Sequence, residues 1–196
     1  MKPFNIFLIG VGGQGIGLLS EILLRAADAA GLRVKAVDTH GLAQRGGVVV
    51  SNLRMGDGVY SPVISGGDAD LVVALERHEA LRGVNQAARD GGTLVYYNTV
   101  WQPLAVRLGQ AAETQEADIE GVCKKRGIKV FAVYQPDLPD IRMQNVAVLS
   151  TIHQHGLIPG IRARHYKRAM EDLLQGTSLR QNVMLFEGGD PWENKL

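Results

Sequence analysis

A short apolar run, Phe4 to Ile9, breaks directly into Gly10-Val11-Gly12-Gly13-Gln14-Gly15, and an amphipathic pattern starts at once behind it. From Gln14 to Ala30 the residues Ile16, Leu18, Leu19, Ile22, Leu23 and Ala26 recur at helical spacing, and Gly31 stands where a helix C-cap belongs. Arg33 to Asp38 reads as a second strand. A strand, a glycine turn, a helix and a strand open a doubly wound parallel sheet. Gly10, Gly12 and Gly15 fit the G-x-G-x-x-G spacing, with Gly13 added between them. Glycine lets the chain turn tightly and brings its N–H groups close to a ligand, and the helix start behind it favours an anion. Asp38 then occupies the place of a ribose-binding acid, about 20 residues on. Two readings stay open: glycines that only close a strand onto a helix, and a site for a nucleotide or another anion. Gln14 is expected to project its amide from the turn.

The middle of the chain alternates strands and helices less regularly. Val48 to Arg54, Gly56-Asp57-Gly58 and Val59 to Ile64 read as a hairpin. Asp70 to Leu75 is a continuous apolar strand of the kind buried on both faces. Helices are expected over 76–89 and 113–126, and strands over 93–97 and 129–134. The last third is helical in pattern, over 143–154, 164–174 and 178–187. The expected fold is α/β, a Rossmann-like, doubly wound, mostly parallel sheet with a helical C-terminal section. It is expected to form one domain over residues 1–190, followed by a tail at 191–196.

The segment Asp38-Thr39-His40-Gly41-Leu42-Ala43-Gln44-Arg45-Gly46-Gly47 follows the second strand, beside the glycine turn. Ligands collect at this edge of an α/β sheet. Arg45 is a fixed cation with a planar donor fork, Gln44 both donates and accepts, and His40 can carry a proton. Gly46 and Gly47 allow close approach of another backbone. A loop that gathers His, Gln and Arg between glycines calls for a ligand or a partner. The candidate binding residues are Gly12, Gly13, Gln14, Gly15, His40, Gln44, Arg45, Gly46, Gly47 and, past the strand that ends at Tyr97, Asn98.

Together, Gly10-Val11-Gly12-Gly13-Gln14-Gly15 and His40-Gly41-Leu42-Ala43-Gln44-Arg45-Gly46-Gly47 resemble the gamma-type domain of 2-oxoacid:ferredoxin oxidoreductases. The His-Gly-x-Ala-Gln form is similar to that of the small (beta) subunit of indolepyruvate ferredoxin oxidoreductase. Tyr60-Ser61-Pro62, Gly67-Asp68-Ala69-Asp70-Leu71, Asn98 and Asn145 extend the likeness over roughly residues 4–187. The resemblance implies a subunit of a thiamine-diphosphate-dependent complex that converts an aryl 2-oxoacid to an acyl-CoA and CO2, with electrons passing to ferredoxin. It implies that thiamine diphosphate and the 4Fe-4S clusters are held by partner chains, that coenzyme A is a co-substrate, and that this chain alone has no catalytic residues. The two glycine-lined segments are then places for coenzyme A phosphates or for the subunit contact. The rivals are a stand-alone NAD-binding dehydrogenase and a non-catalytic interaction module of the same fold.

Composition agrees with a dependent subunit. One cysteine, Cys123, among 196 residues cannot ligate an iron–sulfur cluster. A formal net charge of +1 gives no concentrated basic field for nucleic acid. No run reaches the roughly 18 apolar residues a membrane span needs, and the N-terminal residues lack a signal-peptide pattern. A cytoplasmic protein is expected. His153 and His155 point to different helix faces, which argues against a shared metal. His78 and His165 lie among charges and read as solvated, Cys123 as an incidental thiol, and Arg162, Arg164, Lys167 and Arg168 as a solvated or interface cluster.

Overall fold

The computed structural model describes residues 1–40, 47–101, 106, 108, 109 and 112–192. Six strands form one sheet: β1 (Phe4–Val11), β2 (Val34–His40), β3 (Val48–Met55), β4 (Ala69–Ala74), β5 (Ala88–Tyr97) and β6 (Lys129–Val133). Their spatial order is β2-β3-β1-β4-β5-β6. β1, β4, β5 and β6 are parallel neighbours, and β3 runs antiparallel to both β1 and β2. Five strands therefore point one way and β3 alone points the other, which is the mostly parallel α/β sheet expected.

Period-two alternation feeds two cores. In β1, Ile6 and Leu8 face one layer while Phe7 and Ile9 face the other. The first layer contains α1 (Ile16–Ala29) and the C-terminal helices α4 (Gln144–Gln154), α5 (Ala163–Leu173) and α6 (Gly176–Phe186). The second contains α2 (Arg77–Ala87) and α3 (Glu116–Lys125). Leu71 and Val73 of β4 repeat the division against Val72 and Ala74, so the central strands are buried on both faces. α1 leads from β1 towards β2, and α2 leads from β4 towards β5. The chain thus changes direction between β1 and β4, and a topological switch point of this kind opens a crevice at the carboxyl edge.

The hairpin expected after β3 does not form. β3 already pairs with β1 on one side and β2 on the other, so residues 59–64 have no free edge to join. That segment is held otherwise: Val59 is buried, and the Arg54 guanidinium donates to the Ser61 and Val63 carbonyls at 3.3 and 3.2 Å. Tyr60 is left exposed under the Arg33 guanidinium, 4.9 Å from its ring centroid.

His165 also departs from expectation. It is buried, one turn before Ala169 on the inward stripe of α5, and burial, then Arg164 and Arg162, hold its imidazole below the ordinary range. His78 is half-buried beside the Thr114 hydroxyl, 3.0 Å from Nδ1, with its Nε2 enclosed. His153 packs on Phe186 and Tyr166, whereas His155 packs on Phe131. Cys123 is buried between α3 and the sheet, and burial pushes its thiol up.

Candidate functional site

β1 ends at Val11, and the turn that follows is fastened from inside by Gln14. Its Oε1 accepts from the Val11 N–H at 2.8 Å, and its Nε2 donates to the Leu75 carbonyl at 3.0 Å. The Gln14 N–H closes the turn onto the Val11 carbonyl at 3.1 Å. Gln14 is fully buried, so the expectation of a projecting amide is corrected. Val11 and Leu75 leave two backbone groups facing the interior, and the amide satisfies both. The side chain clamps the turn to the end of β4.

Gly13 and Gly15 require glycine for different reasons. Gly13 has φ +98°, is exposed, and has nothing within 4 Å of where a Cβ would stand. Gly15 has φ +86°, and a Cβ there would meet Asn145 Nδ2 at 2.5 Å. Asn145, buried at the start of α4, donates to the Gly15 carbonyl at 3.2 Å. Gly15 is also the N-cap of α1, with no side-chain cap and no acidic residue in the first turn. The first-turn N–H groups have no intrahelical acceptor, and they sit at the positive end of the helix dipole. An uncapped helix start beside an exposed glycine suits an anion.

The second glycine segment meets the first. The Gly12 N–H donates to the Gly47 carbonyl at 2.9 Å, joining the two motifs across β1 and β3. This bond spends the Gly12 donor on the fold. His40 ends β2 in register with Val49, at the same edge. Gln44, Arg45 and Gly46 lie outside the described residues. Asn98 stands two strands from β1, beyond β4, at the edge of β5. Its Oδ1 accepts from Arg77 Nε at 2.6 Å, its N–H donates to Val133, and Arg77 Nη2 continues to Glu116 at 3.0 Å. Asn98 thus ties the start of α2 to the sheet.

Asp38 is not where a dinucleotide acid belongs. β3 separates β2 from β1, and Asp38 Oδ1 accepts from the Ser20 hydroxyl at 3.1 Å and from Ser51. A ribose-binding acid needs a strand adjacent to β1 and free carboxylate oxygens. This geometry argues against the NAD reading.

Three buried polar features at the edge escaped the sequence reading. Glu76 caps α2, accepting from the Glu79 N–H, and is fully buried. Glu79 lies on the inward stripe of the same helix, and burial holds its carboxyl up at about 7. Gln144, beside Asn145, is fully buried with neither amide atom hydrogen-bonded among the described residues. The visible signal was Glu76-Arg77-His78-Glu79 directly after an apolar strand, an acid at N-cap and another three residues on. A separate cleft of about 190 Å³ near Gln135, Thr151 and Gln154 has no charged side chain in its lining, and Ser150 there donates inward to the Phe186 carbonyl.

Residues 5–190 match the family described as pyruvate ferredoxin/flavodoxin oxidoreductase. The chain is 35% identical over 191 residues to the indolepyruvate oxidoreductase subunit IorB of Archaeoglobus fulgidus, covering 94% of this chain and 92% of that protein. In fold it is similar to the keto/oxoacid ferredoxin oxidoreductase gamma subunit of Geobacter sulfurreducens, with TM-score 0.63, 17% identity and 94% of each chain covered. It is similar also to the 2-oxoglutarate:ferredoxin oxidoreductase of Magnetococcus marinus, solved with 2-oxoglutarate, coenzyme A and succinyl-CoA bound. There the TM-score is 0.70 at 20% identity, covering 96% of this chain and 30% of the larger one. The extent of the family match and of the IorB likeness leads to one conclusion: this chain belongs to the pyruvate ferredoxin/flavodoxin oxidoreductase family, as a subunit of a 2-oxoacid:ferredoxin oxidoreductase.

Proposed function

We propose that this chain is the small subunit of an indolepyruvate-type enzyme and that its glycine turn and the start of α1 receive phosphate groups of coenzyme A. The Gly12–Gly47 hydrogen bond carries the reading, because it brings the last glycine of the second motif to the first motif beside a helix N-terminus without a side-chain cap. Gly13 admits a ligand without steric contact, and the flanking residues His40 and Gly47 stand at the same edge. Coenzyme A, when bound, supplies the thiol that takes up the acyl group. This chain's part is to bind and orient. The Gly13 face and the first turn of α1 offer N–H donors, Gln14 and Asn145 fix the turn that presents them, and Arg45 adds a cation with a forked donor set.

Thiamine diphosphate and the 4Fe-4S clusters belong to partner chains in this proposal, and ferredoxin accepts the electrons. Residues 1–190 act as one domain, and the assembly is cytoplasmic. None of the helices in the described residues is long and apolar enough to cross a membrane. The IorB name of the Archaeoglobus relative supports the aryl branch of substrates.

The test is to isolate the native assembly and assay it with indolepyruvate, phenylpyruvate, hydroxyphenylpyruvate, phenylglyoxylate, pyruvate and 2-oxoglutarate plus coenzyme A. Preference for the aryl acids, with thiamine diphosphate and iron in the co-purified partner, is the expected result. Arg45→Ala is expected to raise the KM for coenzyme A or to weaken assembly while the chain stays folded. Unchanged turnover and assembly would remove the site from this surface.

A further inference from the structure

We propose that the Glu79 side chain, buried beside Glu76, carries a proton in the folded protein. We propose further that its loss loosens the start of α2 and, through Leu75 and Gln14, the glycine turn. The inference concerns the two acids themselves and stands apart from the coenzyme A reading.

Glu79 sits on a stripe otherwise made of Ala80, Gly83, Val84 and Ala87, all turned into the second core layer. Its side chain is 1% exposed and that of Glu76 is 0% exposed. Each keeps one enclosed oxygen, Oε2, without a hydrogen-bond donor among the described residues. Two ionised carboxylates in such a place lack solvent and have only the Glu79 N–H and the half-exposed Arg82 beside them, and a fixed negative pair in low dielectric is strongly disfavoured. One proton lowers the charge and supplies the donor that the orphaned oxygens lack. Glu76 Oε1 already accepts from the Glu79 N–H at the start of α2, so the two residues are joined through the backbone of the first turn.

Among the described residues, the elements packed on α2 give Glu79 no other counter-ion. β1 presents Phe7 and Ile9, β4 presents Val72 and Ala74, and β5 presents Leu94 and Tyr96. α3 presents Ile119 and Cys123. Burial pushes both the Tyr96 hydroxyl and the Cys123 thiol upward, so both stay neutral near pH 7. Glu116 is occupied by Arg77, and His78 faces Thr114. Arg82 comes within 3.5 Å of Glu79 Oε2 from a half-exposed position, too far for a good hydrogen bond. Burial raises the Glu79 carboxyl to about 7, opposed by Arg82 and assisted by Glu76.

The link to the turn is short. Glu76 follows Leu75, whose N–H donates to Ile9 and whose carbonyl accepts from Gln14. A carboxyl raised in the folded state stabilises the fold most when it is protonated. That contribution is complete below the ordinary glutamate value and is lost as pH rises towards about 7.

The experiment uses the full chain labelled with 13C at glutamate carboxyls, titrated by NMR from pH 3 to 9, with amide-exchange protection of Gln14 followed from pH 6 to 8. One carboxyl is expected to titrate near neutrality and to vanish in Glu79→Gln. Gln14 protection should fall severalfold over that range in the native chain and stay flat in Glu79→Gln. The unfolding equilibrium constant of the native chain should rise by up to about tenfold per pH unit between the ordinary glutamate value and neutrality. If every glutamate titrates in the ordinary range, or if Gln14 protection in the native chain is constant, the proposal is overturned. Both of these measurements are made on the native chain, so a Glu79→Gln protein that fails to fold leaves the test intact.

Discussion

Two strand–turn–helix units meet at the switch point, and they solve the same problem in opposite ways. After β1 the chain turns on glycines and starts α1 with no side-chain cap and no acidic residue in its first turn. After β4 it turns on Glu76, whose carboxylate caps α2, with a second acid buried one turn on. On the proposed reading, the first helix start keeps its electrostatic potential for something external. The second is capped by the chain's own Glu76 side chain. One Gln14 side chain bonds to both units, so the closed half helps to hold the open half in place.

This contrast can be broken by mutation. Gln14→Ala carries the largest expected cost, about 2–4 kcal/mol in urea unfolding, because it strands a buried N–H and a buried carbonyl together. A loss under 1 kcal/mol would mean that the two units are not clamped. Gly15→Ala should cost about 2–3 kcal/mol, since left-handed strain adds to the collision with Asn145. Gly13→Ala should cost only about 1–2 kcal/mol, for strain alone, yet weaken coenzyme A binding to the assembly more than its stability loss predicts. Equal costs at positions 13 and 15 would show that Gly13 is not open. Gln144→Met should change the stability of the isolated chain by less than about 1.5 kcal/mol, because it replaces unpaired buried polar atoms at similar volume. Co-purification of the partner chain would then show whether that amide serves the assembly.

Much of this architecture was legible from periodicity. α1, β4 and the three C-terminal helices follow apolar spacing closely, since each buries a broad stripe or two faces. The place of β3 was not legible. A β-branched run gives no sign of which strands it will join, and the turn residues at Gly56-Asp57-Gly58 imitate a hairpin signal while bonding instead to the N-terminus. At the site, Gly12, Gly13 and Gly15 were found because their spacing encodes backbone geometry. Gln14 was misdirected because its orientation depends on Leu75, 61 residues away. Glu76 and Glu79 were overlooked because acids are rarely buried. His165 was readable in principle: it lies four residues after Ile161 and four before Ala169, both inward-facing.

The inserted antiparallel strand also governs how the chain must assemble in time. β1 is one of the two central strands and strongly apolar, but its neighbour on one side ends at Met55 and on the other begins at Ala69. A nascent chain therefore carries Phe4-Asn5-Ile6-Phe7-Leu8-Ile9 with both edges bare until roughly fifty further residues have been synthesised. Over that interval the segment is a ready template for pairing with a second copy. Slow synthesis or truncation before β4 should direct this protein into aggregates, whereas chains extending past β4 should collapse around an already shielded first strand.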